Sequence, residues 1–248
     1  AGIVLDYSSR IAGEFSHAQL SGRNARMRGG APPPAGVTLE TRTWFNANLE
    51  SRNFYVPGVI AILVMLITLM LTSMAVVREK EVGTMEQVMV TPITPAEFIL
   101  GKSLPFALIG FADVIAITLI GRLWFNVPIR GDIGLLLLAS AFFIMTTIGI
   151  GLLVSTVSQT QQQAMMGTFF LYFPAVLLSG FMFPIANMPA AIRWFTLANP
   201  LRHYLVIIRG IFLKGVGADI LWPQLAALAA MGASVLWIAT RRFRKTNM

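Results

Sequence analysis

Residues 56–77 contain no charged side chain, and Arg78 closes the run. A helix rises about 1.5 Å per residue, so roughly 20 residues cross a hydrocarbon core about 30 Å thick. A helix that stays apolar on every face for that length has no side to turn to water. Four further segments read the same way. Residues 103–125 are interrupted by Asp113 and Arg122, while 133–155 are uninterrupted. Residues 164–183 contain Pro174 and run into Gly180 and Pro184, breaks that neighbouring helices tolerate in a membrane. Residues 220–240 end at Arg241 and Arg242. The expected fold is an all-α integral membrane protein with about five transmembrane helices.

Composition narrows the chemistry. Charged residues make up 12% of the chain, about half the fraction usual in a soluble domain. Cysteine is absent, which excludes disulfides, thiol catalysis and thiolate metal sites. His17 and His203 lie far apart with no carboxylate cluster, so no metal site is expected. The net charge of +8 is spread over loops and the C-terminus. That distribution suits anionic lipid headgroups and lacks the gathered basic patch that nucleic acid requires.

The basic tail Arg241, Arg242, Arg244 and Lys245 has no acid among it and belongs in the cytoplasm by the positive-inside rule. Counting back through five spans puts 184–219 outside, 156–163 inside, 126–132 outside, 78–102 inside and 1–54 outside. Arg193, Arg202, Arg209 and Lys214 in 184–219 argue the reverse if taken alone. Their spacing among apolar stretches reads as interfacial helices, so the tail decides. Residues 1–54 differ in character. Ile11, Phe15 and Ala18 form a short helical stripe, 23–36 read as a Gly-, Arg- and Pro-rich linker, and 37–45 alternate like a strand. We expect a partial extracytoplasmic α/β segment, with its beginning truncated.

The inside loop opens with alternating charges, Arg78, Glu79, Lys80 and Glu81, followed by Gly83 and Thr84. Met85, Val88 and Met89 then recur at helical spacing around Glu86 and Gln87, and Thr91-Pro92 and Thr94-Pro95 stop the turn. A solvated connector is one reading. A Met-bearing helix that docks in a partner's groove is the other, and it accounts for the apolar face and the two stops. Gln161, Gln162 and Gln163 on the second inside loop read as solvated residues or as a second contact with the same partner. Gly101-Lys102-Ser103 is not a phosphate loop, because Ala96 stands where its first glycine belongs and a membrane span follows.

Asp113 is the sole acid inside an expected span. A carboxylate there costs a few kcal/mol unless it is protonated, paired or wet. It is either a substrate or proton site or a hydrogen-bonded packing residue. In the outer segment, Met188, Pro189, Arg193, Trp194 and Phe195 suit a helix lying at the interface, and Arg202, His203 and Tyr204 suit headgroup depth. An aromatic belt and an external gate are both compatible with that composition.

The run 79–87 followed by Val90-Thr91-Pro92 resembles the cytoplasmic signature of ABC-2-type transporter permeases, the membrane subunits of ATP-driven exporters. The likeness extends through Asn53-Phe54, Pro57-Gly58, Gly101-Lys102, Leu178 to Phe181, and Phe183 to Ile185. It continues through Met188-Pro189, Asn199-Pro200-Leu201 and Arg209 to Gly215, covering roughly residues 44 to 245. It implies a six-span subunit of the multidrug-exporter-like branch, of which this chain carries spans two to six (residues 55–248) after the extracytoplasmic remnant 1–54. It also implies residence in the bacterial inner membrane and pairing with a second permease subunit. In that scheme Glu79, Glu81, Gly83, Thr84, Met85, Glu86, Gln87, Thr91 and Pro92 belong to a coupling loop that enters a cytoplasmic ATPase. Gly180, Pro184, Met188, Pro189, Asn199, Pro200, Arg209 and Gly210 belong to an external re-entrant segment. ATP and Mg would sit on the ATPase, with no cofactor on this chain. The substrate expected is a hydrophobic or amphipathic drug or lipid, exported from the cytoplasm. A lipid-modifying membrane enzyme and a secondary transporter are the alternatives; the first lacks converging ionisable residues, and the second lacks a clear inverted repeat.

Overall fold

The computed structural model describes residues 51–84 and 94–246, and these form helices joined by turns, with no strand among them. Helix α1 spans Ser51–Val82, α2 Pro95–Leu123, α3 Ile133–Val157 and α4 Gln161–Leu177. Two short helices follow, α5 (Ala190–Thr196) and α6 (Pro200–Arg209), then a π-helical turn Gly210–Lys214 and the last helix α7 (Ala218–Thr246).

Helix starts follow ordinary capping chemistry. Thr94 and Glu97 form a reciprocal capping box, the Glu97 N–H donating to Thr94 Oγ1 at 3.3 Å and the Thr94 N–H to Glu97 Oε2 at 2.8 Å. The Asp132 carboxylate accepts from the N–H groups of Gly134 (3.0 Å) and Leu135 (3.3 Å), and the Thr160 hydroxyl from Gln163 N–H (3.1 Å). The capping box explains why α2 begins well before residue 103, where the apolar run begins. A helix N-terminus is set by a cap, not by hydropathy.

Among the described residues, four helices are long and apolar enough to cross a membrane: Asn53–Val82, Glu97–Leu123, Ile133–Val157 and Ala218–Arg242. The segment expected at 164–183 is the 17-residue α4, about 26 Å long. Pro174 lies in its final turn, and the chain leaves the helix at Leu178. By contrast α1, at 32 residues and about 48 Å, outruns a hydrocarbon core and carries its charged end beyond it. The helical stripe, linker and strand expected within 1–50 lie outside the described residues, as do Met85, Glu86, Gln87, Thr91 and Pro92.

Helix α3 is the centre of the bundle, packing against α1, α2, α4, α6 and α7. The approach of α3 to α1 is very close at Gly151, where a Cβ would fall 1.9 Å from Thr72 Oγ1 and 3.1 Å from the Leu69 carbonyl oxygen. Buried hydroxyls bridge the helices, as expected where apolar contact alone does not discriminate helix from lipid. The Thr68 hydroxyl donates to Thr147 Oγ1 and Thr168 to Ser73 Oγ, both at 2.8 Å, and Thr146 to the Leu228 carbonyl at 3.2 Å. Outward faces carry large apolar residues such as Leu104, Leu119, Phe170 and Phe173.

Candidate functional site: the two ends of the bundle

The acidic and basic residues at the end of α1 are sorted onto three different helices. Glu79 pairs with Lys102 of α2 and accepts a hydrogen bond from the Thr84 hydroxyl. Lys80 donates to the carbonyls of Ser155 (3.4 Å) and Thr156 (3.3 Å), in the last turn of α3. Glu81 accepts from the backbone N–H of Gln161 at 2.8 Å and from its side-chain amide, at the first turn of α4. Lys80 and Glu81 match the partial charges they face, a cation on helix-terminal carbonyls and an anion on a helix-initial N–H group, while Glu79 faces the full charge of Lys102. A further link closes the set, the Val77 N–H donating to Ser155 Oγ at 3.1 Å. Gly83 ends α1 in the left-handed region, with φ at 79°, where a side chain would be strained.

Of the residues expected in this loop, Glu79 and Thr84 meet directly, Glu81 reaches α4 instead, and Gly83 supplies the turn that ends α1. Gln161 is a fixed partner of Glu81. Lys80 and Ser155 carry as much of the geometry as the expected residues. The sequence signal for Lys80 was the i, i+1, i+2 alternation Glu-Lys-Glu, which places three charges around most of a helix turn. A cavity of about 540 Å³ opens beside this cluster, lined by Leu71, Met74, Arg78, Glu79, Lys102 and Phe106 among others.

At the opposite end the chain turns back into the bundle. Gly180 lies in the turn after α4, Pro184 and Met188 bracket a short 3₁₀ turn, and Pro189 leads into α5. Asn199 caps α6, accepting from Leu201 N–H at 3.1 Å, while its amide donates to the Ala175 carbonyl of α4 at 2.7 Å. Thus Asn199 joins the start of one helix to the end of another. Trp194 and Phe195 of α5 are exposed, in keeping with an aromatic belt.

The interfacial reading fails for α6. Pro200, Leu201, Tyr204, Leu205, Ile207 and Ile208 are buried, and α6 packs against α1, α3 and α7. Tyr204, expected at headgroup depth, is fully buried; it stacks on Phe143 with centroids 4.2 Å apart and shares a 2.8 Å hydrogen bond with Ser140. Burial pushes its phenol above the ordinary range, so it stays neutral. Composition suggested a surface helix because Arg202, His203 and Arg209 punctuate it. In three dimensions His203 and Arg202 cap neighbouring groups, His203 Nε2 sitting 2.9 Å from the Leu197 carbonyl and Arg202 bonding the Thr196 hydroxyl.

Arg209 ends α6 over the Phe54 ring, its guanidinium carbon 3.7 Å from the centroid, and Nη1 donates to the Gly180 carbonyl at 3.3 Å. Burial pulls its pKa down to about 10, which leaves it charged at neutral pH. Gly210 follows and begins the π turn, whose Ile211 and Phe212 carbonyls accept from the N–H groups of Gly131 (2.9 Å) and Arg130 (3.3 Å) in the α2–α3 loop. Asp113 is half-buried in α2, with Oδ2 enclosed and without a hydrogen-bond partner, and it lines neither end's cavity.

The family model described as ABC-2 family transporter protein matches residues 8–241. This chain belongs to the ABC-2 transporter family. It is similar to the probable multidrug ABC transporter permease YbhR of Escherichia coli strain K12, 32% identical over 241 residues, which covers 97% of this chain and 66% of that protein. It is also similar to the probable multidrug ABC transporter permease YbhS of the same strain, 35% identical over 210 residues, or 83% of this chain and 56% of that one. A third relative there is the inner membrane transport permease YhhJ, 34% identical over 225 residues, or 90% and 59%. The chain spans between 56% and 66% of the length of these relatives. Permeases of this ABC-2 family are multi-pass transport components rather than enzymes, which removes the lipid-modifying alternative.

Proposed function

We propose that the chain is the membrane-spanning part of an exporter subunit that moves a hydrophobic or amphipathic substrate, a drug or lipid, out of the cytoplasm. ATP, with Mg, is hydrolysed on a separate cytoplasmic ATPase, and two permease subunits pair to enclose the pathway. The loop 78–102 is the coupling element, the C-terminus is cytoplasmic, and residues 1–54 and the segment 184–219 face outward. The protein resides in a bacterial inner membrane, with residues 55–248 as spans two to six and α4 as the fifth.

The observation that carries this reading is the sorting of Glu79, Lys80 and Glu81 onto α2, α3 and α4. A force applied to the loop beyond Gly83 would reach three helices through three separate links, which is what a subunit without its own nucleotide site requires. Individually such partly exposed pairs are weak, on the order of 0.3–1 kcal/mol each. They suit a joint that transmits and rearranges more than one that merely stabilises.

The test uses the full-length permease reconstituted with its ATPase. Lys80→Met and Glu81→Gln are expected to leave the complex assembled and its basal hydrolysis intact while substrate-stimulated hydrolysis and transport fall together. Wild-type transport in both variants would sink the coupling role. Failure to recover any ATPase with the purified permease would sink the exporter reading itself.

A further inference from the structure

The far end of the bundle holds a cavity of about 480 Å³, in the size range of small-ligand sites. It runs along one face of α6, where Arg202, Leu205, Val206 and Arg209 recur at helical spacing, continues to Leu213 of the π turn, and is bordered by Phe54, the Ser179–Gly180 turn and Ile220 and Leu221 of α7. Arg202, Arg209 and Lys214 all line it, and its described lining residues include no carboxylate. The remainder is mostly apolar, and Phe54, Val206 and Ile220 present exposed apolar surface at its mouth.

Arg209 is held there with incomplete hydrogen bonding. Its Nε and Nη2 are buried and have no acceptor, although Nη1 bonds the Gly180 carbonyl. Those two nitrogens form the side-on edge by which a guanidinium takes two oxygens of a phosphate or carboxylate. The edge now lies toward Gly58, where a Cβ would be 3.5 Å from Nη2, so taking an anion requires the guanidinium to turn off Phe54 toward the cavity. A desolvated cation with two unsatisfied donors is costly, and an anionic partner would relieve that cost.

We propose that this cavity binds the phosphate headgroup of an anionic phospholipid, its acyl chains lying on the apolar surface of Val206, Ile220 and Phe54. The chemistry is read from the wall itself: cations without carboxylates select an anion, and the apolar mouth selects one that carries hydrocarbon. Arg209 contributes the bidentate contact, and Arg202 the supporting charge at the other end of the groove. The site requires that these helices lie in a bilayer and does not depend on the direction or the cargo of transport.

Native mass spectrometry of the purified chain, after exchange into mixed micelles of phosphatidylglycerol and phosphatidylcholine, tests this. Retention of phosphatidylglycerol over phosphatidylcholine is expected, with roughly a tenfold loss of that preference in Arg209→Gln and a smaller loss in Arg202→Gln. Because Arg209 also touches Phe54 and Gly180, Val206→Trp provides a second variant that fills the exposed mouth and leaves all three cations in place. It is expected to lower phosphatidylglycerol retention with the thermal midpoint unchanged. Equal retention of the two lipids by the wild type, or undiminished preference in both Arg209→Gln and Val206→Trp, would overturn the proposal. An arm with inorganic phosphate separates the sources: displacement of the lipid by a modest molar excess would assign the cations to a free anion and overturn the lipid assignment, whereas resistance supports it.

Discussion

Gly151→Ala probes the joint between α1 and α3. The added methyl would stand 1.9 Å from Thr72 Oγ1, 2.9 Å from Thr72 Cβ and 3.1 Å from the Leu69 carbonyl oxygen. Thr72 is fully buried, and its hydroxyl already donates to the Thr68 carbonyl at 2.6 Å. A helical threonine has two χ1 wells at most, so rotating Oγ1 aside gives limited relief, and the Leu69 carbonyl cannot move without α1. The helices must separate by several tenths of an ångström, at the usual overpacking cost of about 1–3 kcal/mol. Thr72→Ala alone should cost about 1 kcal/mol, the loss of one buried methyl, because the hydroxyl bonds only within its own helix. Combining the two removes the 1.9 Å overlap but leaves the Cβ of residue 72 at 2.9 Å and the Leu69 carbonyl at 3.1 Å, so part of the loss should return. Titration of the folded chain with a denaturing detergent, followed by tryptophan fluorescence, gives the four free energies of the cycle. A Gly151→Ala variant as stable as wild type, or a double variant no better than Gly151→Ala, would refute the packing argument. Since Gly151 lies one turn before Ser155, the same separation should loosen the Lys80 contacts and lower coupled transport in the full-length protein.

Tyr204→Phe removes one 2.8 Å hydrogen bond but leaves Ser140 bonded to the Leu136 carbonyl, so the loss should be about 0.5–1.5 kcal/mol by the same detergent titration. Tyr204→Ala also forfeits the stack on Phe143 and should cost about 3–5 kcal/mol. Asp132→Ala removes the cap of α3 and should lower stability by about 1 kcal/mol, whereas Asp132→Asn should be nearly neutral; thermal unfolding checks both. Exchanging the pair as Glu79→Lys with Lys102→Glu should restore coupled transport that each single reversal abolishes, and failure of the exchange would show that Glu79 acts through Thr84 instead.

The helical class and the four long apolar helices α1, α2, α3 and α7 were legible because hydropathy and length are local properties, whereas the run expected at 164–183 folds as the shorter α4. Absence of a charge over 56–77 dictates a buried or lipid-facing helix whatever surrounds it. Caps at Thr94, Asp132 and Thr160 are equally local, and the Gly83 stop follows from backbone sterics. Tertiary structure alone decided which charges meet. Lys80 finds carbonyls 75 and 76 residues away, and Glu81 an N–H group 80 residues away, and no pattern within one helix encodes those distances. It also reversed the reading of α6. A helix carrying Arg202, His203 and Arg209 has a surface composition, yet it is buried because its other face fits against Phe143 and Ser140 and its polar tips find carbonyls and a hydroxyl. Sequence sets how apolar a helix is; the neighbours it packs against set how much polarity its burial can accommodate.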